Sequence, residues 1–198
     1  MYRSLPIRPL TTLIAIILTP LLVSLACNSS PTQTAPNDTL NQSLSAATGS
    51  SSSGPLTNVT QARLVDADPK SWLTHGGTYA EQRYSPLSQI NESTVHRLGL
   101  AWSFDMQSQR GVESTPLVAD GTIYVTAPWS VLHALDAATG EPLWTFDPAV
   151  PRGIARQICC GVVNRGAALY GNNLYIGTLD GRLIAVNRDS GREVWSVD

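Results

Sequence analysis

The residues with chemical potential in this chain gather in Arg156–Gly166 (RQICCGVVNRG), where Cys159 and Cys160 are adjacent and Arg165 follows. Neighbouring Cα atoms lie about 3.8 Å apart, short of the roughly 4.4–6.8 Å that a disulfide usually spans. A Cys159–Cys160 disulfide would therefore close a small strained ring. Strain of that kind persists mainly where a rigid, unusual surface has a use. No His or further Cys lies nearby in the sequence to complete a metal site around the pair. His75, His96 and His133 share no metal-ligand spacing, His133 reads as a strand-face residue, and Asp180 in Thr178–Gly181 reads as a turn acid.

What these thiols become depends on where the chain goes. Arg3 and Arg8 precede an uncharged apolar run, Leu10 to Ala26, which reads as a secretory signal peptide over residues 1–26. Ser24 and Ala26 suit ordinary signal peptidase. Ser24-Leu25-Ala26-Cys27 also resembles a bacterial lipobox, which would acylate Cys27 and anchor the protein to a membrane. Ser24 departs from the aliphatic residue usual there, and an uncleaved membrane anchor is the third reading. All three export the chain, with the periplasm as the expected compartment. In an oxidising compartment thiols tend to pair. With three cysteines in the chain, Cys159 and Cys160 are left with each other, an intermolecular partner, or none.

Residues 27–60 are rich in Ser, Thr, Asn, Gln and Pro and are expected to form a disordered tether. The whole chain is 42% hydrophobic and 14% charged, with net charge −2. That is globular composition with no basic excess, so no nucleic-acid partner is expected.

Positioning falls to a repeat. Thr122–Asp147 and Asn173–Asp198 align at an offset of 51, matching Tyr124 with Tyr175, Gly140 with Gly191 and Trp144 with Trp195. A third copy of the ending is Ala101–Asp105 (AWSFD). Each long copy holds three short β runs, and Thr115–Val118 or Gly166–Leu169 supplies a fourth before it. Asp136–Gly140 and Asn187–Gly191 carry turn chemistry, with Asp or Asn opening and Gly accepting positive φ. Four strands per repeat with a terminal tryptophan define a β-propeller blade, and the tryptophans are expected to dock blade on blade. The fold class is therefore all-β. About two blades are present, whereas closed propellers have about four to eight, so the sequence is expected to be a piece of a longer chain.

Trp72–Gly77 (WLTHGG), Arg83–Asn91 (RYSPLSQIN), Leu100–Asp105, Arg110–Val118 (RGVESTPLV), Ala127–Ser130, Cys159-Cys160, Val162–Gly166 (VVNRG) and Gly177–Leu183 carry a family resemblance. From about Leu64 onward, residues 61–198 resemble the N-terminal part of the pyrroloquinoline quinone (PQQ)-dependent alcohol dehydrogenases, including the methanol dehydrogenase large subunit. The resemblance implies an eight-bladed propeller in the full-length protein. It also implies PQQ, a calcium or lanthanide ion, oxidation of primary alcohols to aldehydes, and an electron acceptor such as cytochrome c or quinone. By the same resemblance, Cys159 and Cys160 form a disulfide lying flat against the quinone, and Glu113 and Arg165 contact it. Gly161 stands where many members have Asp. The metal ligands and catalytic aspartate are expected beyond Asp198, leaving these residues inactive by themselves.

The repeat bears on the same residues. At the offset of 51, Glu113 falls on Asn164 and Ser114 on Arg165, both just before the first strand of a blade. A charge pair there could clamp a planar polycarboxylate, or could be a salt bridge joining two blades. Arg83–Pro86 is expected to close the N-terminal region onto the ring. The alternative function is a non-enzymatic propeller lipoprotein that scaffolds outer-membrane protein assembly. That reading gives Glu113, the cysteine pair and Arg165 no shared purpose.

Overall fold

The computed structural model describes residues 56–198. The expected signal peptide, Cys27 and the tether through residue 55 lie outside the described residues. Among the described residues, no helix is long and apolar enough to cross a membrane.

Two four-stranded antiparallel sheets follow one another. The first runs in the order β1 (Leu117–Ala119), β2 (Thr122–Thr126), β3 (Leu132–Asp136), β4 (Pro142–Phe146). The second repeats it as β5 (Ala168–Tyr170), β6 (Asn173–Gly177), β7 (Leu183–Asn187), β8 (Glu193–Val197). Local chemistry explains each hairpin. β1 and β2 are joined by Asp120-Gly121, both at positive φ (50° and 77°), the two-residue turn whose twist suits paired strands. Between β3 and β4, Asp136 Oδ1 accepts the backbone N–H of Ala138 and of Thr139, each at 2.9 Å. Asn187 Oδ1 does the same for Asp189 and Ser190 in the second sheet. Both sheets also carry a register irregularity at the same place, Ala134/Leu135 and Ala185/Val186.

The first strands begin later than the sequence suggests. Thr115–Val118 and Gly166–Leu169 were the expected runs, but Thr115 donates its N–H to Arg165 O (3.1 Å) rather than into its own sheet. Gly166, at φ 138°, donates to Asn164 Oδ1. Ala101–Asp105 also differs from expectation, because it pairs in no sheet.

Its tryptophan nonetheless does what the repeat requires. Trp102 lies on Gly140 and donates Nε1–H to Ala137 O at 3.2 Å. Trp144 lies on Gly191 and donates to Arg188 O at 3.0 Å, one repeat further on. A Cβ at Gly140 or Gly191 would fall 2.5 or 2.6 Å from the indole carbons. Each turn glycine thus serves twice, as the residue that tolerates positive φ and as the floor for a tryptophan from the preceding part of the chain.

The buried core unites both sheets, through Leu117, Leu132, Leu174, Ile176 and Ile184, with Val59, Leu64 and Leu73 from the preceding segment. The tether boundary is therefore corrected: residues 57–60 belong to the fold. Val59 is fully buried and bridged to Gly171, and Thr60 caps helix α1 (Gln61–Val65). The described contacts of Arg83–Pro86 are local. Arg83 donates its N–H to Gly76 O and Tyr84 stays exposed, so the motif folds back on its own segment.

An ionic cluster ties this segment to both blades. Asp120 accepts from Arg63 (2.5 Å), from the fully buried Arg188 (2.6 Å) and from Thr57 N (3.1 Å). Burial raises the Asp120 carboxyl, but the hydrogen bonds from Arg63 and Arg188 outweigh it and hold the group below the ordinary carboxylate range. A depressed folded-state pKa gives stability that is complete above the unfolded value and lost as pH falls through the folded one. The denaturation midpoint should fall more steeply for the native protein than for Asp120→Asn below about pH 4, with native the more stable near neutrality; parallel pH profiles would contradict the assignment.

Gly191→Ala should lose about 2–4 kcal/mol from combined positive φ and indole overlap. Gly121→Ala, with positive φ but nothing within 4 Å of its Cβ, should lose only the conformational part. Denaturant titration of both variants separates the two costs.

Candidate functional site at the mouth of the first strands

The cysteine pair sits on a sharp turn after the 3-10 helix Arg152–Arg156. Cys160 takes φ 69° and Gly161 φ 87°, a left-handed pair that turns the chain outward. Trp129, itself at φ 65°, donates its N–H to Val162 O at 2.8 Å and so pins the turn to the β2–β3 loop of the first blade. Both cysteines are exposed, with Cys160 Sγ 2.6 Å from Cys159 Sγ. The two sulfurs that the expected disulfide would join are thus brought together.

Glu113 and Arg165, predicted from opposite ends of the motif map, meet. Glu113 Oε2 lies 3.1 Å from Arg165 Nη2, with the side chains 48% and 71% exposed. Exposed pairs of this kind contribute about 0–1 kcal/mol to stability. A stapling role therefore explains little, whereas an exposed guanidinium with further donors facing outward can still engage a ligand. The hydrogen bond to Cys159, then the charge of Cys159, raises the Cys160 pKa, while the Arg165 charge lowers it and that of Glu113 raises it. All four expected site residues therefore share one neighbourhood.

A hydroxyl and amide network fixes their backbone. Ser114 Oγ accepts from Thr126 N (3.0 Å) and bonds Thr126 Oγ1 (2.8 Å), and Thr126 Oγ1 donates to Asn164 O (3.1 Å). Asn164 Nδ2 donates to Ser130 Oγ (3.0 Å) and Gly177 O (2.9 Å). Ser114 and Asn164 adjoin Glu113 and Arg165, so the network joins the two charged residues across the blades. Sequence reasoning missed Thr126, Ser130 and the role of Asn164. The offset of 51 that aligned Asn164 with Glu113 was the available signal. Beside Arg165 opens a hollow of about 500 Å³ lined also by His75, Thr115, Asn164 and Thr178.

The remaining candidates stay apart from this mouth. His133 is a buried strand residue whose Nδ1 is 2.9 Å from Thr145 Oγ1, and burial lowers its pKa. Asp180 is a turn acid held by the Thr178 hydroxyl and by Arg182. Among the described residues, no three His, Cys, Asp or Glu side chains converge as a metal site.

Two tryptophan-docked four-stranded antiparallel sheets are the blades of a β-propeller. The family model described as "Glucose/ethanol/alcohol dehydrogenase, beta-propeller domain" (PQQ) matches residues 72–197, and the chain belongs to that family. It is 55% identical over 134 residues to the dehydrogenase subunit of a quinone alcohol dehydrogenase from Komagataeibacter europaeus, covering 68% of this chain and 18% of that protein. It is 54% identical over 124 residues to the 1-butanol dehydrogenase (cytochrome c) of Thauera butanivorans, covering 63% of this chain and 18% of the relative. Among solved structures, quinohemoprotein alcohol dehydrogenase ADHIIG of Pseudomonas putida superposes with TM-score 0.70 at 48% identity, over 72% of this chain and 21% of that one. A europium-containing methanol dehydrogenase gives 0.63 at 37%, over 67% and 24%. The chain thus spans about a fifth of the length of the relatives it matches.

The contact with Cys159 that raises the Cys160 pKa has a direct test. With both proteins first reduced, Cys159→Ala should lower the Cys160 pKa and speed its alkylation by iodoacetamide near pH 8, read by mass spectrometry, because the thiolate is the reactive form. An unchanged rate would show that the sulfurs do not interact.

Proposed function

We infer that this chain carries the cofactor-facing part of an exported PQQ-dependent alcohol dehydrogenase that oxidises primary alcohols to aldehydes. The carrying observation is the exposed Glu113–Arg165 pair beside the exposed cysteines, at the mouth of two docked blades. The donor set suits a planar anionic quinone. Arg165 offers guanidinium donors to carboxylate or quinone oxygens, Glu113 accepts from a ring N–H or hydroxyl, and the sulfurs offer a polarizable, flat surface. On this reading Cys159 and Cys160 are oxidised to a disulfide in the periplasm, which makes that surface rigid.

PQQ, when bound with calcium or a lanthanide, supplies the hydride acceptor for alcohol oxidation. The protein's part at this mouth is to bind and orient. Arg165 and Glu113 fix the ring edge, and the Ser114–Thr126–Asn164 network keeps both from drifting. On this reading the metal ligands and the catalytic aspartate are residues other than the four named here. Electrons then pass to an acceptor such as cytochrome c or a quinone, in keeping with the names of the relatives. Export rests on residues 1–26, and membrane anchoring on acylation at Cys27.

The full-length polypeptide, reconstituted with PQQ and calcium or lanthanum, should bind PQQ and oxidise primary alcohols with an artificial dye. Its mature N-terminus, read by mass spectrometry, should begin at or next to Cys27. Arg165→Ala should weaken PQQ binding by about ten- to a hundredfold, the loss of a charge-assisted pair. Failure of the native protein to bind PQQ would defeat the reading, and full affinity in Arg165→Ala would remove Arg165 from the site.

A further inference from the structure

The hollow beside Arg165 has a second ionisable wall that the inference above leaves idle. The segment that precedes the first blade pairs with β1 through the antiparallel bridge Trp72↔Val118. In that register, moving from Trp72 towards Gly76 runs back alongside β1 to Thr115, two residues before its start at Leu117. His75 accordingly lines the same hollow as Thr115 and Arg165. It also lines an adjoining apolar hollow with Leu64, Leu73 and Ala168, so the imidazole stands at the partition between a polar mouth and a greasy one.

Its backbone is held while its side chain is not. The Trp72 indole donates to His75 O at 3.4 Å, and Gly77 donates to Thr74 O at 3.1 Å, fixing the turn. The imidazole is exposed and makes no hydrogen bond to any described residue. Apart from Arg165, the other residues lining the larger hollow are uncharged. Asp180, next in sequence to that lining, is committed to Thr178 and Arg182. Asn164 Nδ2 and the Thr178 hydroxyl, which also line it, are already engaged within the protein, so an anion drawn in by Arg165 meets in His75 an ionisable donor from a different element.

We propose that His75 is a further ligand-contacting residue of this site, hydrogen-bonding a carboxylate or quinone oxygen of the planar anion that Arg165 holds. The proposal rests on the reading of the site given above. An imidazole is suited to that place, since it donates from one ring nitrogen while presenting an apolar edge to the neighbouring hollow. A Lys or Arg there would instead set two permanent cations around one hollow.

The test uses the full-length polypeptide and PQQ itself as probe. In native protein, bound PQQ should protect His75, but not His96, from carbethoxylation by diethyl pyrocarbonate, read by peptide mass spectrometry. His75→Phe should weaken PQQ binding about tenfold, as loss of a hydrogen bond to a charged group would, and His75→Gln should recover most of it. The denaturation midpoint of the PQQ-free protein should be the same in all three. If native protein binds PQQ but His75 is not protected, or His75→Phe binds as native does, the assignment of His75 is overturned and the reading of the site stands. If native protein binds no PQQ, the site reading falls and this proposal with it.

Discussion

Everything described here depends on an indole resting on a glycine. Trp102 on Gly140 and Trp144 on Gly191 each occupy the volume that any Cβ would fill, and each indole N–H closes on a carbonyl three residues before the glycine. That contact is geometric before it is energetic. It sets the distance and angle at which one sheet meets the next, because the glycine cannot approach further and the hydrogen bond cannot be kept at another tilt. An ordinary apolar contact between sheets would permit sliding, and a site built from two sheets would slide with it.

The mouth is such a site. Glu113 comes from the chain entering the first blade and Arg165 from the chain entering the second, so neither sheet holds the pair alone. Docking brings the blades to the right separation, and the Thr126–Asn164–Ser130 bonds convert that separation into a defined position for the residues beside Glu113 and Arg165. Strain then enters locally. Trp129, Ser130 and Cys160 all adopt left-handed φ without being glycine, and such conformations persist when surrounding contacts over-determine them. At this end of the sheets those contacts include the inter-blade bonds from Trp129 N–H to Val162 O and from Asn164 Nδ2 to Ser130 Oγ.

The sequence was most legible where chemistry repeats. Blade strands, Asx turns and the docking role of tryptophan all follow from residues that recur at an offset of 51, since each recurrence reports the same local constraint. Legibility failed where the chain does something once. The starts of β1 and β5 were placed early because Thr115 and Gly166 look like strand residues, yet their backbone groups are taken by Arg165 O and by Asn164 Oδ1. Val59 looked like part of a polar leader because its burial depends on a bridge to Gly171, more than a hundred residues away. His75 was read for metal spacing alone, and the hollow it shares with Arg165 depends on the bridge between Trp72 and Val118, which spacing along the chain does not show.

The two ionic groups of this structure make opposite use of the same chemistry. Arg188 is fully buried on Asp120, and removing one partner from a buried pair costs about 3–5 kcal/mol by stranding the other. That cluster therefore holds the leading segment and both blades as one body. Glu113 and Arg165 are solvent-exposed, so water already solvates each and their mutual attraction adds little to folding. An exposed pair can be opened by a ligand at small cost, because the ligand replaces an interaction that was weak to begin with. A buried pair cannot. Of the two clusters, only the exposed one is physically available for binding, and it lies at the end of the sheets where the inter-blade polar network runs.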